Sequence, residues 1–238
     1  MTELDSRTPD RPAWVCAAVT LLTFVVAASL LTRLTDSPMP PVPTAERSGR
    51  AAIALRDHVV PFQMWGSMIF TRPLLERSYE SAYYLAQHSR GDRIEARLTQ
   101  TLEVALREHE QVDLFIISHS NRFLYHVSRL DPELRQRLRL VYNTGCYDLD
   151  QARRWIALGA DTYVGHPGLS ASPVFYFFFL RRWVRAMGAQ EAMVASNAEM
   201  KRILYMALPK TSGRLHPDVV WRDSEAKLSG DQEVSLVR

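Results

Sequence analysis

Cysteine is nearly absent: the 238-residue chain holds two, Cys16 and Cys146. Cys16 falls within a long apolar run, so the rest of the chain has a single thiol, which excludes an internal disulfide there. An excess of charge of one sign is also missing. Twenty-nine Lys and Arg against 26 Asp and Glu leave +3, and Arg135, Arg137 and Arg139 alternate with other residues near Glu133 as on a solvated face. No nucleic-acid partner is therefore expected. His119, His126, His166 and Cys146 show no recognisable metal-ligand spacing, so no metal site is expected. No motif requires a cofactor, and no internal repeat is visible. What is present is a globular mixture, 47% apolar and 23% charged, with length for one ordinary domain plus an anchor.

The anchor is read from residues 13–32, which carry no charge and are rich in Ala, Val and Leu, after a short N-terminal tail, 1–12. At about 1.5 Å per residue such a run spans a hydrocarbon core of about 30 Å. Arg11 and Arg33 bracket it. A cleaved signal peptide is the rival, because Val26-Ala27-Ala28-Ser29 offers small residues near its end, but the run is longer than a signal core. A single-pass membrane protein is expected, with the membrane as partner through 13–32. The flanking arginines leave its orientation open and slightly favour an extracytoplasmic domain. Residues 33–50 include Ser37-Pro38-Met39-Pro40-Pro41-Val42-Pro43, a stiff, extended spacer. The domain is expected over 51–208 and a polar, loosely ordered tail over 209–238.

Within the domain, Val59–Phe62 and Ser67–Phe70 read as short strands. Glu76–His88, with Tyr79, Ala82, Tyr83 and Ala86 on one face, reads as a helix. Ile94, Leu98, Leu102 and Leu106 form a helical stripe over 93–109. Val112–Ser118 is a continuous apolar, partly β-branched run, as in a strand buried on both faces. A helix follows from about Asn121, and Asp131-Pro132-Glu133 opens another turn. Leu138–Asn143 is the next strand, ending at Thr144-Gly145-Cys146. Asp148 then reads as the cap of a helix that stops at Gly159, and Asp161–Gly165 is a third strand. Pro173 opens an apolar helix, Val174–Met187, too short in its apolar part to span a membrane, and a last helix runs over Ala189–Met206. Strands alternating with helices imply an α/β domain with a mainly parallel sheet.

In such sheets functional groups collect at the carboxyl ends of strands. His119 and Cys146 each follow a strand, and the two strands are consecutive. One right-handed crossover puts them side by side, about 4.8 Å apart. A histidine near a thiol can take its proton or stabilise the thiolate. The backbone N–H groups of Ser120 and Cys146 could serve a developing oxyanion.

The segments VDLFIISHS and LRLVYNTGC resemble the two signature blocks of the caspase-like cysteine peptidases, the superfamily of caspases, gingipains, legumains, separases and CHAT domains. The sequel ARRWIALGADTYVGHPGLSASPVFYFFFLRRWVRAMGAQEAMVASN resembles the CHAT type, so the likeness covers roughly Val112 to Met200. It implies a three-layer sandwich after one transmembrane helix, and a cysteine peptidase acting on a protein or peptide substrate. His119 would be the catalytic histidine and Cys146 the nucleophile. Ser120 stands where the family pattern has glycine, and the spacing between the pair is short. Asp148, His166 and Ser170 are candidates for substrate binding. The alternative is a non-catalytic interaction or scaffolding domain of the same fold. A serine-hydrolase elbow at Ser118-His119-Ser120-Asn121-Arg122 ranks low, because it lacks the flanking glycines.

Overall fold

The computed structural model describes residues 43–238, apart from 90, 120, 121, 171–173, 209–215, 237 and 238. The expected membrane segment, 13–32, lies outside the described residues, and among the latter no helix is long and apolar enough to cross a membrane.

After one helical turn, α1 (Thr44–Arg47), the chain enters β1 (Arg50–Arg56) and then a helical run of α2 (Pro61–Gly66), a π-helical turn (Ser67–Thr71) and α3 (Arg72–Ser78). There follow β2 (Ser81–Ala86), α4 (Ile94–Glu108), β3 (Gln111–Ile117), α5 (Phe123–Ser128), α6 (Pro132–Arg135) and β4 (Leu138–Asn143). A 3-10 turn (Asp148–Gln151) leads into α7 (Ala152–Ala157) and β5 (Thr162–Gly165). A π-helical stretch (Val174–Phe179) continues as α8 (Leu180–Trp183), and α9 (Ala189–Ala207), α10 (Pro217–Ser224) and β6 (Lys227–Gly230) complete the order.

The fold is α/β: six strands in the order β2-β1-β3-β4-β5-β6, flanked by helices. Every neighbouring pair is parallel except β5 with β6. Alternation along the strands feeds two cores. Ile53, Leu55, Leu114, Ile116 and Val141 join the α4 stripe of Ile94, Leu98, Leu102, Ala105 and Leu106, with Phe123 and Trp155. Phe115 and Tyr142 meet Phe175 instead, and Phe179 packs on Tyr142 and stacks with Trp183. Burial on both faces is why β3 and β4 read as near-continuous apolar runs.

Three readings need correction. The helix expected over 76–88 is α3 followed by the edge strand β2, whose residues are mostly half-buried. The spacing of Tyr79, Ala82, Tyr83 and Ala86 mimics a helical face, but they straddle the Ser78–Glu80 turn. No strand forms at 59–62 or 67–70: Val59 and an extended Val60 lead into the helical run that begins at Pro61, Ser67–Phe70 belong to its π-helical turn, and β1 lies earlier. The polar C-terminal stretch, in turn, supplies α10 and β6 and remains in the fold to Leu236, which is fully buried. Its short, charged elements give little apolar periodicity, and they are held by main-chain bonds such as Ala189 N–H to the Val234 carbonyl, 2.7 Å.

The helix stop at Gly159 is as expected. Its φ is +115°, and a Cβ there would lie 2.9 Å from the Arg135 carbonyl oxygen. Asp131 caps α6 as expected, accepting from Glu133 N–H at 2.9 Å.

Candidate functional site

Strand order reverses between β1 and β3: β1 hands on to β2 on one side, and all later strands add on the other. Crevices in open α/β sheets form at the carboxyl ends of the strands at such a switch point. One is present here, a cleft of about 570 Å3 lined by Asp57, His58, Gln87, Gly91, Asp92, Arg93, Glu95, His119 and Arg122.

Arg122 organises it. Its Nη1 lies 3.1 Å from Asp57 Oδ2, its Nη2 donates to Asp57 Oδ1 at 3.1 Å, and its Nε pairs with Glu95 at 2.5 Å. Gln87 Oε1 accepts from His58 N–H at 3.1 Å and from Arg122 at 3.3 Å. Asp57 and Gln87 are buried, whereas His58 and His119 are exposed at the rim. Asp57, Gln87 and Arg122 are not among the site residues expected from the sequence, where Arg122 enters only as a residue that spoils the serine-hydrolase elbow. Had β1 been located, Asp57, the residue directly after it, would have been flagged by its position alone.

His119 sits two residues beyond the end of β3, and Cys146 three beyond the end of β4. The two strands pair in parallel with Ile116 opposite Asn143, so His119 and Cys146 each lie three residues past the same rung. The turn is tightened by Gly145 N–H donating to Asn143 Oδ1 at 3.0 Å. Tyr147, the next residue after Cys146, takes the left-handed conformation with φ 58° and is 57% exposed. For a non-glycine residue that conformation costs about 1–2 kcal/mol, and such strain gathers at functional turns.

Cys146 is half-buried and free. Burial pushes its thiol up from the ordinary value; a backbone hydrogen bond from Ser170 works against this, and the nearby Asp148 adds to it. Cys146 is not among the residues that line the cleft, and among the described residues no hydrogen bond joins it to His119. Ser120, the other expected oxyanion donor, lies outside the described residues.

The three substrate-binding candidates fall differently from one another. Asp148 and His166 are fully buried, so neither forms a surface that a substrate could touch in this conformation. Nor is Asp148 a helix cap: its Oδ1 accepts from His166 N–H at 2.6 Å, across to the end of β5. His166 is held down at about 4 by burial, so it is neutral near pH 7. Its Nδ1 lies 2.9 Å from the Ser224 carbonyl, which can only accept, and this assigns the ring proton to Nδ1. Ser170 is half-buried, and its Oγ donates to the Thr144 carbonyl. Among the described residues no group of three or more His, Cys, Asp or Glu is arranged to hold a metal ion. Neither a family model nor a curated protein matches the chain.

Proposed function

We propose that this chain is a caspase-like cysteine peptidase held at a membrane by residues 13–32, with Cys146 as nucleophile and His119 as its acid–base partner. The observation that carries the reading is the shared rung. Two residues suited to thiol chemistry leave adjacent parallel strands three residues beyond one register pair, Ile116 with Asn143, at the strand ends where α/β sheets gather their sites. The cleft supports it on the histidine side, since His119 is one of its lining residues and a substrate seated there would lie beside the proposed base.

In this mechanism His119 takes the Cys146 proton as sulfur attacks the peptide carbonyl, and the carbonyl oxygen becomes an oxyanion facing the Cys146 and Ser120 N–H groups. Collapse of the adduct expels the amine, which takes the proton from His119. Water then attacks the thioester, again with His119 as base, releasing the acid and restoring the thiol. Because burial pushes the thiol up, the proton leaves during attack rather than beforehand.

The same observation favours one alternative, a membrane-tethered interaction domain of the same fold in which Cys146 is a packed turn residue. The deciding experiment is the iodoacetamide rate of Cys146 against pH, in the full chain carrying Cys16→Ser, with and without His119→Ala. A rate that falls at least tenfold near neutrality on His119→Ala supports the dyad and justifies a peptide-library screen. Slow labelling indifferent to the substitution sinks the peptidase and leaves the interaction domain. Alkaline extraction of membranes tests the anchor separately: the full chain should stay with the lipid, and a chain lacking 13–32 should not.

A further inference from the structure

The loop after β5, residues 166–170, is laced to the Cys146 turn from both sides. Tyr147 N–H donates to the Gly168 carbonyl at 3.0 Å and Leu149 N–H to the His166 carbonyl at 3.2 Å. Ser170 returns a side-chain hydrogen bond to the Thr144 carbonyl, and its backbone N–H offsets part of the rise that burial causes at the Cys146 thiol. The loop therefore supplies the donor at the thiol.

Asp148 lies at the root of this lacing. A fully buried carboxyl with no basic partner is expensive unless its oxygens are met by donors. Asp148 has one firm bond, Oδ1 to His166 N–H at 2.6 Å, while Oδ2 closes none. The chain makes room for it: a Cβ on Gly165 would lie 3.1 Å from Oδ1 and 2.7 Å from the Tyr163 ring. The titratable groups facing it are Cys146 on its own turn, Tyr142 on β4, Tyr163 on β5 and His166 on the loop. None of these brings a positive charge when His166 is neutral. Ionised Asp148 thus opposes formation of a thiolate at Cys146.

Resting on the dyad reading above, we propose that Asp148 is a positioning residue for Cys146: it anchors the loop that carries the Ser170 donor, and its charge state governs how readily the thiol ionises. Burial keeps the carboxyl protonated to about 8, so near neutrality the turn holds its geometry without a negative charge beside the sulfur.

The test is the Cys146 alkylation profile against pH, measured in the full chain carrying Cys16→Ser. Asp148→Asn keeps the shape and one acceptor oxygen but can never ionise, so the midpoint of the profile should move to lower pH by roughly half a unit or more. Asp148→Ala frees the loop, and the rate at pH 7 should fall several-fold. Asp148→Asn guards against a mere folding defect, provided that its thermal midpoint stays near the parent's. A His119-dependent parent with an unmoved Asp148→Asn profile overturns this proposal alone. A parent indifferent to His119→Ala overturns the dyad reading, and this proposal with it.

Discussion

At the amino end of the strands, Arg139 and Asp113 meet with both partners out of water; Arg139 is 2% exposed and Asp113 is fully buried. Arg139 Nε and Nη2 clasp the two carboxylate oxygens at 2.9 and 2.6 Å, while Nη1 reaches Gln111 and the carbonyls of Ser235 and Leu236. Tyr79 and Trp183 close the other side of Asp113, and Trp183 also lies under the guanidinium, 5.3 Å away. Burial pulls the Arg139 pKa down, but the Asp113 carboxylate more than offsets it and leaves it raised. At the carboxyl end, Arg122 and Asp57 form a similar fork, but the arginine side chain is 36% exposed and the pair lines an open cleft. One pair is a sealed bolt through β3, β4 and the C-terminal segment; the other is a fixture on the wall of the cleft. Buried, fully bonded charge specifies one arrangement and tolerates no loss of a partner. Half-exposed charge leaves room for a ligand.

The contrast predicts its largest effect at the amino end. Arg139→Met leaves the Asp113 carboxylate buried without its cation and should cost about 3–5 kcal/mol in denaturant unfolding. Asp113→Leu combined with Arg139→Met should recover part of that loss. It will not recover all of it, because the buried Tyr79 hydroxyl is then left without its acceptor, although Trp183 Nε1 keeps its bond to Tyr79 Oη at 2.8 Å. A single substitution costing under about 1 kcal/mol would show that the bolt is not sealed.

The carboxyl end should instead respond to pH. Folded Asp148 holds its proton to about 8, against an ordinary 3.8. Between those values the native state binds more protons than the unfolded chain, so Asp148 makes stability fall as pH rises. Folded His166 is held at about 4 against 6.5. There the unfolded chain binds more protons, and stability rises with pH. The two oppose one another from about pH 4 to 6.5, and above that Asp148 acts alone. Unfolding free energy should be nearly level over the first range and then decline toward pH 8 by at most about 1.4 kcal/mol per pH unit. Asp148→Asn should abolish the decline and expose the rise due to His166. A parent that declines above pH 6.5 as steeply with Asp148→Asn as without it would assign the dependence elsewhere.

These differences also explain what could be read from sequence. Strands β3 and β4 were legible because burial on both faces forces predominantly apolar runs, VDLFII and LRLVYN, interrupted by the paired charges Asp113 and Arg139, and α4 because one face alone is buried. His119 and Cys146 were legible by position after those strands. The edges were not. β2 has one free side and half-buried residues, so its tyrosines imitate a helical face, and β6 is four residues long and polar. Asp57, Gln87 and Arg122 depend on locating β1, whose Ala-rich RAAIALR has helical propensity and becomes a strand only by pairing on both sides with β2 and β3. The role of Asp148 was misread because a residue that opens a helical turn looks like a cap, and nothing local reveals that its side chain turns toward His166.

The smallest effect separates the two arginines most directly. Arg122→Ala removes the partner of Asp57, but Asp57 keeps its bond from His58 N–H at 2.7 Å, and water reaches the vacated space. The expected loss is therefore about 1–2 kcal/mol, above the range of exposed ion pairs because Asp57 is buried but well below that of Arg139→Met, with part of it screened at high salt. Under the peptidase reading the same substitution should disturb the cleft: KM for a cleaved peptide should rise more than kcat falls. The measurement is a denaturant midpoint at low and high salt, set beside Arg139→Met. If Arg122→Ala destabilises as much as Arg139→Met, and does so at both salt concentrations, the carboxyl-end pair is a structural bolt as well. The cleft would then be a gap in the packing around it rather than a place for a substrate.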